Sequence, residues 1–186
     1  MELTGLFGGA FDPPHVGHVG LAAAAKQHFG LPQLTILVAE RPGHKETHLP
    51  AETRLDLARA AFPDDEVRLD PYPRTIDLLR DESFDDPLVI VGADQFSDFL
   101  SWKEPDAVLE CARLAVATRP GFASERLDAV LEELDQPERV VFFDIEPNPA
   151  ASRDIRALAA EGRPLAGLVP EAVEKLILER SLYGVH

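Results

Sequence analysis

Gly8-Gly9-Ala10-Phe11-Asp12-Pro13-Pro14-His15-Val16-Gly17-His18 is the stretch whose reading decides the fold. The apolar run Leu3 to Phe7 before it reads as a strand. The Ala-rich run Val19 to Phe29 after it spaces Leu21, Ala25 and Phe29 at i, i+4 and i+8, the buried stripe of an amphipathic helix. The stretch is therefore expected to be a strand-to-helix loop. Its helix should begin near Pro14 or His15, where the N–H that proline lacks would go unpaired anyway. The N–H groups and positive dipole end of that helix face whatever sits above the strand. Gly8 and Gly9 would let phosphates approach the backbone with no Cβ in the way, and Ala10 continues that edge.

His15 and His18 stand three apart, on one face of a helix, with Gly17 leaving the approach open. Two imidazoles at a helix N-terminus can donate to a phosphate oxygen and stabilise charge developing on it. Other uses stay open: His15 as a turn cap with His18 in the core, or a metal pair with His44 and His48. The pattern is neither the dinucleotide-binding G-x-G-x-x-G nor the P-loop, and it lacks the Lys and Ser/Thr a P-loop requires.

Composition narrows the field. With 186 residues, 45% hydrophobic and 27% charged, the chain is expected to form one soluble domain. Its approximate parts are an α/β nucleotide-binding core over 1–149 and a helical cap over 150–186. No apolar run approaches a membrane span and the N-terminus carries no signal pattern, so a cytoplasmic location and no membrane partner are expected. The formal net charge of −15 argues against a nucleic-acid surface. It also repels phosphorylated substrates at long range, so an anion site must be built from local donors. The single Cys111 excludes an internal disulfide framework. A homo-oligomer is compatible with the sequence.

Strand and helix patterns alternate along the chain. Leu34–Ala39 is β-branched and continuous, as a strand buried on both faces would be, and with the first strand and helix it makes a βαβ unit. The loop of residues 40–50, carrying Lys45, leaves its C-terminal end, where open α/β sheets bind ligands. A helix over Glu52–Phe62, a strand over Glu66–Leu69, and a helix opened by Thr75 as a candidate N-cap follow. Pro87–Val91 is a buried strand running into Gly92-Ala93-Asp94, where the Asp is placed to accept from ribose hydroxyls, and Trp102 comes next. Arg119 follows a strand over Arg113–Ala117, and a further strand covers Val140–Phe143. Ser152 can cap a helix with Ile155, Leu158 and Ala159 buried; Arg156, four residues on, reaches the same side, so hydroxyl, amides and guanidinium could surround one anion.

Gly-Gly-x-Phe-Asp-Pro-x-His-x-Gly-His resembles the signature of the H-x-G-H nucleotidyltransferases. From Leu3 to about Tyr183 the chain is similar to the bacterial nicotinate-nucleotide adenylyltransferases within that superfamily. The resemblance implies a phosphate contact for Lys45, in the family's Pro-x-x-x-His-Lys element. It implies pyridine stacking for Trp102, and a substrate role for Thr75 in a Thr-x-Asp-Thr-Leu segment where Leu78 replaces the second Thr. Against the family's Ile-Ser-Ser-Thr-x-Ile-Arg, Ala150, Ala151 and Arg153 stand for Ile, Ser and Thr, and Ala10 stands where Ser or Thr is usual. Phosphate contacts would thus lose hydroxyls and shift toward Arg153.

The expected architecture is a doubly wound, mostly parallel, Rossmann-like α/β sheet with a small C-terminal helical subdomain, the candidates gathered in one crevice. The chemistry that suits it is adenylyl transfer from ATP. His15 and His18 would sit at the α-phosphate, and Ser152 and Arg156 at the β- and γ-phosphates. Mg²⁺ would enter with ATP and be held mostly by water and phosphate, with no tightly bound protein metal. The resemblance supplies nicotinate mononucleotide as acceptor. The rivals are a sister transferase with another phosphorylated acceptor, such as nicotinamide mononucleotide or phosphopantetheine, and a non-catalytic nucleotide sensor.

Overall fold

The computed structural model describes residues 3–43, 46–119, 121 and 124–184. Six strands form one sheet: β1 (Gly5–Gly9), β2 (Thr35–Ala39), β3 (Glu66–Asp70), β4 (Leu88–Gly92), β5 (Arg113–Thr118) and β6 (Val140–Asp144). Every pairing is parallel and the spatial order is β3-β2-β1-β4-β5-β6. The order reverses between β1 and β4, which in an open α/β sheet marks the ligand crevice beyond the carboxyl ends of the strands.

The period-2 alternation of strand side chains divides the core in two. Phe7, Ile36, Val38, Ile90, Ala115 and Phe143 point to one face, against helices α1 (Val16–Phe29), α2 (Ala51–Ala61), α7 (Ser152–Ala160) and α8 (Glu171–Glu179). Leu6, Leu37, Val89, Val91, Leu114 and Val116 point to the other, against α3 (Thr75–Asp81), α4 (Ala93–Ser97), α5 (Pro105–Cys111) and α6 (Ser124–Glu132). Burial on both faces is why these strands read as unbroken apolar runs. Ile155, Ala159, Val173 and Ile177 of the two C-terminal helices share a core with Phe7 and Phe11. The C-terminal segment also reaches the first loop through its backbone, as Val16 N–H donates to the Leu168 carbonyl at 3.0 Å. Among the described residues, no helix is long and apolar enough to cross a membrane.

Some sequence boundaries move. β1 runs through Gly8 and Gly9, which pair with Leu37 and Val38, so both glycines are strand and not loop. The first helix begins at Val16, with Pro14 ahead of its cap. In α1 the fully buried residues are Ala22 and Ala25; Leu21 and Phe29 pack at the margin of the core. Thr75 and Ser152 do not cap their helices: each is the first helical residue, after Arg74 and Ala151.

Candidate active site

His15 is the N-cap of α1, with extended backbone at φ −139° and ψ 172°. Its Nδ1 accepts from Gly17 N–H at 3.1 Å, and His18 reaches back so that its Nδ1 accepts from His15 N–H at 3.2 Å. The two rings stack with centroids 3.7 Å apart. This is a capping box made of imidazoles in place of hydroxyl and carboxylate. It also accounts for Gly17, where a Cβ would lie 3.0 Å from the His15 ring.

The chemical consequence lies in the other nitrogen. A neutral imidazole that accepts at Nδ1 carries its proton at Nε2. Burial pushes the His15 pKa down to about 4, so at neutral pH that ring is uncharged. The cap thus fixes the His15 tautomer and turns its Nε2–H away from the backbone, and the same bond at Nδ1 favours the same tautomer in His18.

The turn before the pair is held on all sides. Phe11 adopts a left-handed φ of 51°, a conformation that costs a non-glycine residue of order 1–3 kcal/mol. Its buried ring meets Phe7, Phe62 and His18 edge-on, the last at 5.2 Å between centroids. A Cβ on Gly9 would come within 2.9 Å of that ring, so Gly9 makes room for Phe11, whereas Gly8 is exposed and open. Arg54, 1% exposed, donates to the carbonyls of Ala10 at 2.7 Å, Ala39 at 2.8 Å, Leu49 at 3.1 Å and Glu40 at 3.2 Å. The buried Asp12 carboxylate accepts from Tyr183 O–H at 2.7 Å and from His48 N–H at 2.5 Å.

Ser152 and Arg156, expected at phosphates, also meet this turn. Ser152 Oγ donates to the Pro13 carbonyl at 2.9 Å and Arg156 Nη1 to the Asp12 carbonyl at 2.7 Å. The Ser152 hydroxyl proton is therefore committed to backbone, while Arg156 keeps further N–H donors. Arg153 is largely exposed and lies against its neighbour Asp154 at 3.1 Å, apart from the turn.

A cavity of about 640 Å³ opens at the carboxyl ends of β1 to β4. Gly8, Gly9 and Ala10 form one wall; Leu37, Ile76 and Val89 form apolar surface, and Trp102 closes a side. Trp102 is half-buried and also leans edge-on to Phe99, with ring centroids 5.2 Å apart, so it serves core and cavity together. Thr75, Arg41, Arg74 and Asp70 supply polar lining. Burial, the largest influence, pushes the Asp70 carboxyl above its ordinary value. Asp77, the acid next to Thr75, accepts from Lys103 Nζ at 2.7 Å.

The candidates thus separate. Gly8, Gly9, Ala10, Thr75 and Trp102 line the cavity; His15, His18, Gly92, Asp94, Arg119, Ser152, Arg153 and Arg156 do not. Gly92 and the exposed Asp94 sit where β4 passes into α4, and Arg119 is exposed beyond β5. Lys45 and His44 lie outside the described residues. Among the described residues, no group of three His, Cys, Asp or Glu is arranged to hold a metal ion.

Sequence reasoning passed over Arg54, Asp12 and Tyr183. A signal existed for the first: Arg54, Leu57, Ala58 and Ala61 fall at i, i+3, i+4 and i+7, a charge in an apolar helical series. Asp12 sat inside the motif itself. Tyr183 is 171 residues away in sequence and had none.

Comparison with known proteins adds a family. Residues 6–158 match the cytidylyltransferase-like family. A Rubrobacter xylanophilus protein named "Probable nicotinate-nucleotide adenylyltransferase" is 33% identical, covering 97% of this chain and 91% of its own. A Thermus thermophilus protein of the same name is 36% identical, covering 96% and 98%. Two solved structures of the Plasmodium falciparum nicotinic acid mononucleotide adenylyltransferase, complexed with APC and with NaAD, superpose with TM-scores of 0.78 and 0.79. They cover 100% of this chain and 99% of theirs at 12% and 13% identity, a likeness of fold.

Proposed function

The chain belongs to the cytidylyltransferase-like family and, within it, to the nicotinate-nucleotide adenylyltransferases, and from that premise we propose that it transfers the adenylyl group of ATP to nicotinate mononucleotide. The products are nicotinate adenine dinucleotide and pyrophosphate. An oxygen of the acceptor's phosphate forms a bond to the α-phosphorus of ATP, and the bond from that phosphorus to the bridging oxygen of the leaving pyrophosphate breaks. No side chain need form a covalent intermediate, so the protein's part is positioning and stabilisation of charge.

One observation carries the assignment of roles: both histidines spend Nδ1 on backbone N–H groups, and the neutral His15 ring carries its proton at Nε2, where it can donate. His15 and His18 donate toward the α-phosphate oxygens, where charge grows. The first-turn N–H groups of α7, opened by Ser152, and the remaining donors of Arg156 face the β- and γ-phosphates. Asp94 accepts from the adenosine ribose, beside Gly92. The pyridine ring of the acceptor stacks on Trp102 in the cavity, its carboxylate meeting Thr75 and its phosphate approaching the Gly8–Ala10 edge. Lys45 and Arg119 are further phosphate ligands in this scheme, and Arg153 is given none. A divalent ion such as Mg²⁺ would enter with ATP and would supply neutralisation of phosphate charge. A net charge of −15 supports small nucleotides, not nucleic acid, as partners, and a cytoplasmic setting completes the proposal.

The test is direct. Purified protein is given ATP, Mg²⁺ and, one at a time, nicotinate mononucleotide, nicotinamide mononucleotide and phosphopantetheine, and pyrophosphate is measured. Release is expected to be fastest with nicotinate mononucleotide. Faster release with phosphopantetheine would make the chain a sister transferase. ATP binding without release from any acceptor would make it a nucleotide sensor.

A further inference from the structure

Gly-Gly-x-Phe-Asp-Pro-x-His-x-Gly-His reads as a self-contained ligand loop, yet every polar group that holds its first half comes from far along the chain. Arg54 of α2 takes the Ala10 carbonyl and Arg156 of α7 takes the Asp12 carbonyl, so the two guanidinium groups bracket Phe11. Phe11 is the residue in the left-handed conformation, and its ring packs edge-on to His18. Tyr183 donates to the Asp12 carboxylate from a left-handed backbone of its own, at φ 61°. The Leu168 carbonyl accepts from Val16 N–H, one residue past the His15 cap. Asp12 and Arg54 are the two fully buried charged residues among those described. Burial first, and then the bond to Asp12, hold the Tyr183 phenol far above its ordinary pKa, so it stays a donor.

Phe11 and Tyr183 both hold left-handed backbone, and a hydrogen bond ties Tyr183 to Asp12, the residue next to Phe11; such strain persists only where the surroundings over-determine it, and it gathers at functional sites. A plain core contact at this position would need neither the strain nor two buried charges. We propose that Asp12, Arg54 and Tyr183 are positioning residues for adenylyl transfer: a polar clasp that fixes the turn of residues 10–13, and through the Phe11 ring and the His15 cap sets the placement of both imidazole rings. The clasp touches no substrate, so it governs the transition state and leaves ground-state binding to other groups. This inference rests on the transfer reaction proposed above.

Arg54→Lys keeps the charge but loses the fork that spans four carbonyls, and that variant can fail to fold. Tyr183→Phe is the milder and decisive variant, since it removes one O–H and keeps the ring. In a folded Tyr183→Phe protein, kcat is expected to fall about tenfold while KM for ATP and for nicotinate mononucleotide stays within about twofold, the pattern of an interaction that matters only in the transition state. Amide hydrogen exchange should quicken at residues 10–18 and remain unchanged in β4 and β5. Unchanged kcat, or raised KM at unchanged kcat, would overturn the proposal. A wild-type protein that transfers adenylyl to no acceptor would instead remove the reaction. In that case the exchange result alone decides whether the clasp holds the turn, and unchanged exchange at residues 10–18 would overturn it.

Discussion

On the loop side of β1, His15 and His18 are fixed by bonds to backbone, stacked 3.7 Å apart, and supported by a turn whose carbonyls are held by the buried Arg54 and the half-buried Arg156. On the cavity side, Arg41 and Arg74 are exposed and Trp102 is only half-buried beside a volume of about 640 Å³. The same strand serves both sides, but one is rigid before ligand arrives and the other is built to adapt. Groups that must meet charge appearing for an instant gain from being pre-set, because reorganising them during reaction would cost rate. Groups that hold a ring and its substituents can settle around the ligand as it binds. Changes on the first side should therefore appear in kcat, and changes on the second in KM.

The largest break of that comparison is expected at His18. His18→Ala should lower kcat by roughly 10²–10³, the usual loss for one preorganised donor, with ATP affinity changed far less; steady-state kinetics on folded protein checks it. Next comes acceptor choice. The carboxylate of nicotinate only accepts, whereas a carboxamide also donates, and Thr75 with Arg74 presents donors. At about 1–3 kcal/mol per unpaired group, kcat/KM for nicotinate mononucleotide should exceed that for the nicotinamide form by roughly 10²-fold. Comparable values would assign the cavity's acceptor Asp70 a share in recognition. Trp102→Ala should raise KM for the pyridine nucleotide roughly tenfold at little cost in kcat, from stacking of about 1–3 kcal/mol per base. The smallest effect belongs to Arg153, whose side chain is 86% exposed and paired with the exposed Asp154. Arg153→Ala should change KM for ATP by less than about twofold, since exposed pairs contribute little.

Strands β2, β4 and β5 were legible because a strand covered on both faces must be apolar throughout, and that pattern survives in one dimension. The extension of β1 through Gly8 and Gly9 was not, since glycine has no side chain to favour a pleated sheet and its place there follows from its partners Leu37 and Val38. The His pair and a capping role for His15 could be read, but not the reciprocal bond to His18, because imidazole is an uncommon occupant of a capping box. Ser152 and Arg156 read as phosphate ligands from their helical spacing, and their bonds to carbonyls 139 and 144 residues earlier had no local trace. Sequence marks what a residue can donate; only the fold says what stands in front of it.

The preset donor pair is tested most directly by the ¹⁵N side-chain spectrum of His15 and His18, followed through a pH titration. Burial disfavours the charged ring, so His15 should remain neutral as pH falls through the ordinary histidine value of 6.5 and take up a proton only near pH 4. At pH 7 His15 should show a protonated Nε2 and an accepting, unprotonated Nδ1. A proton on Nδ1 of His15 at pH 7, or a His15 that titrates near 6.5, would contradict the account.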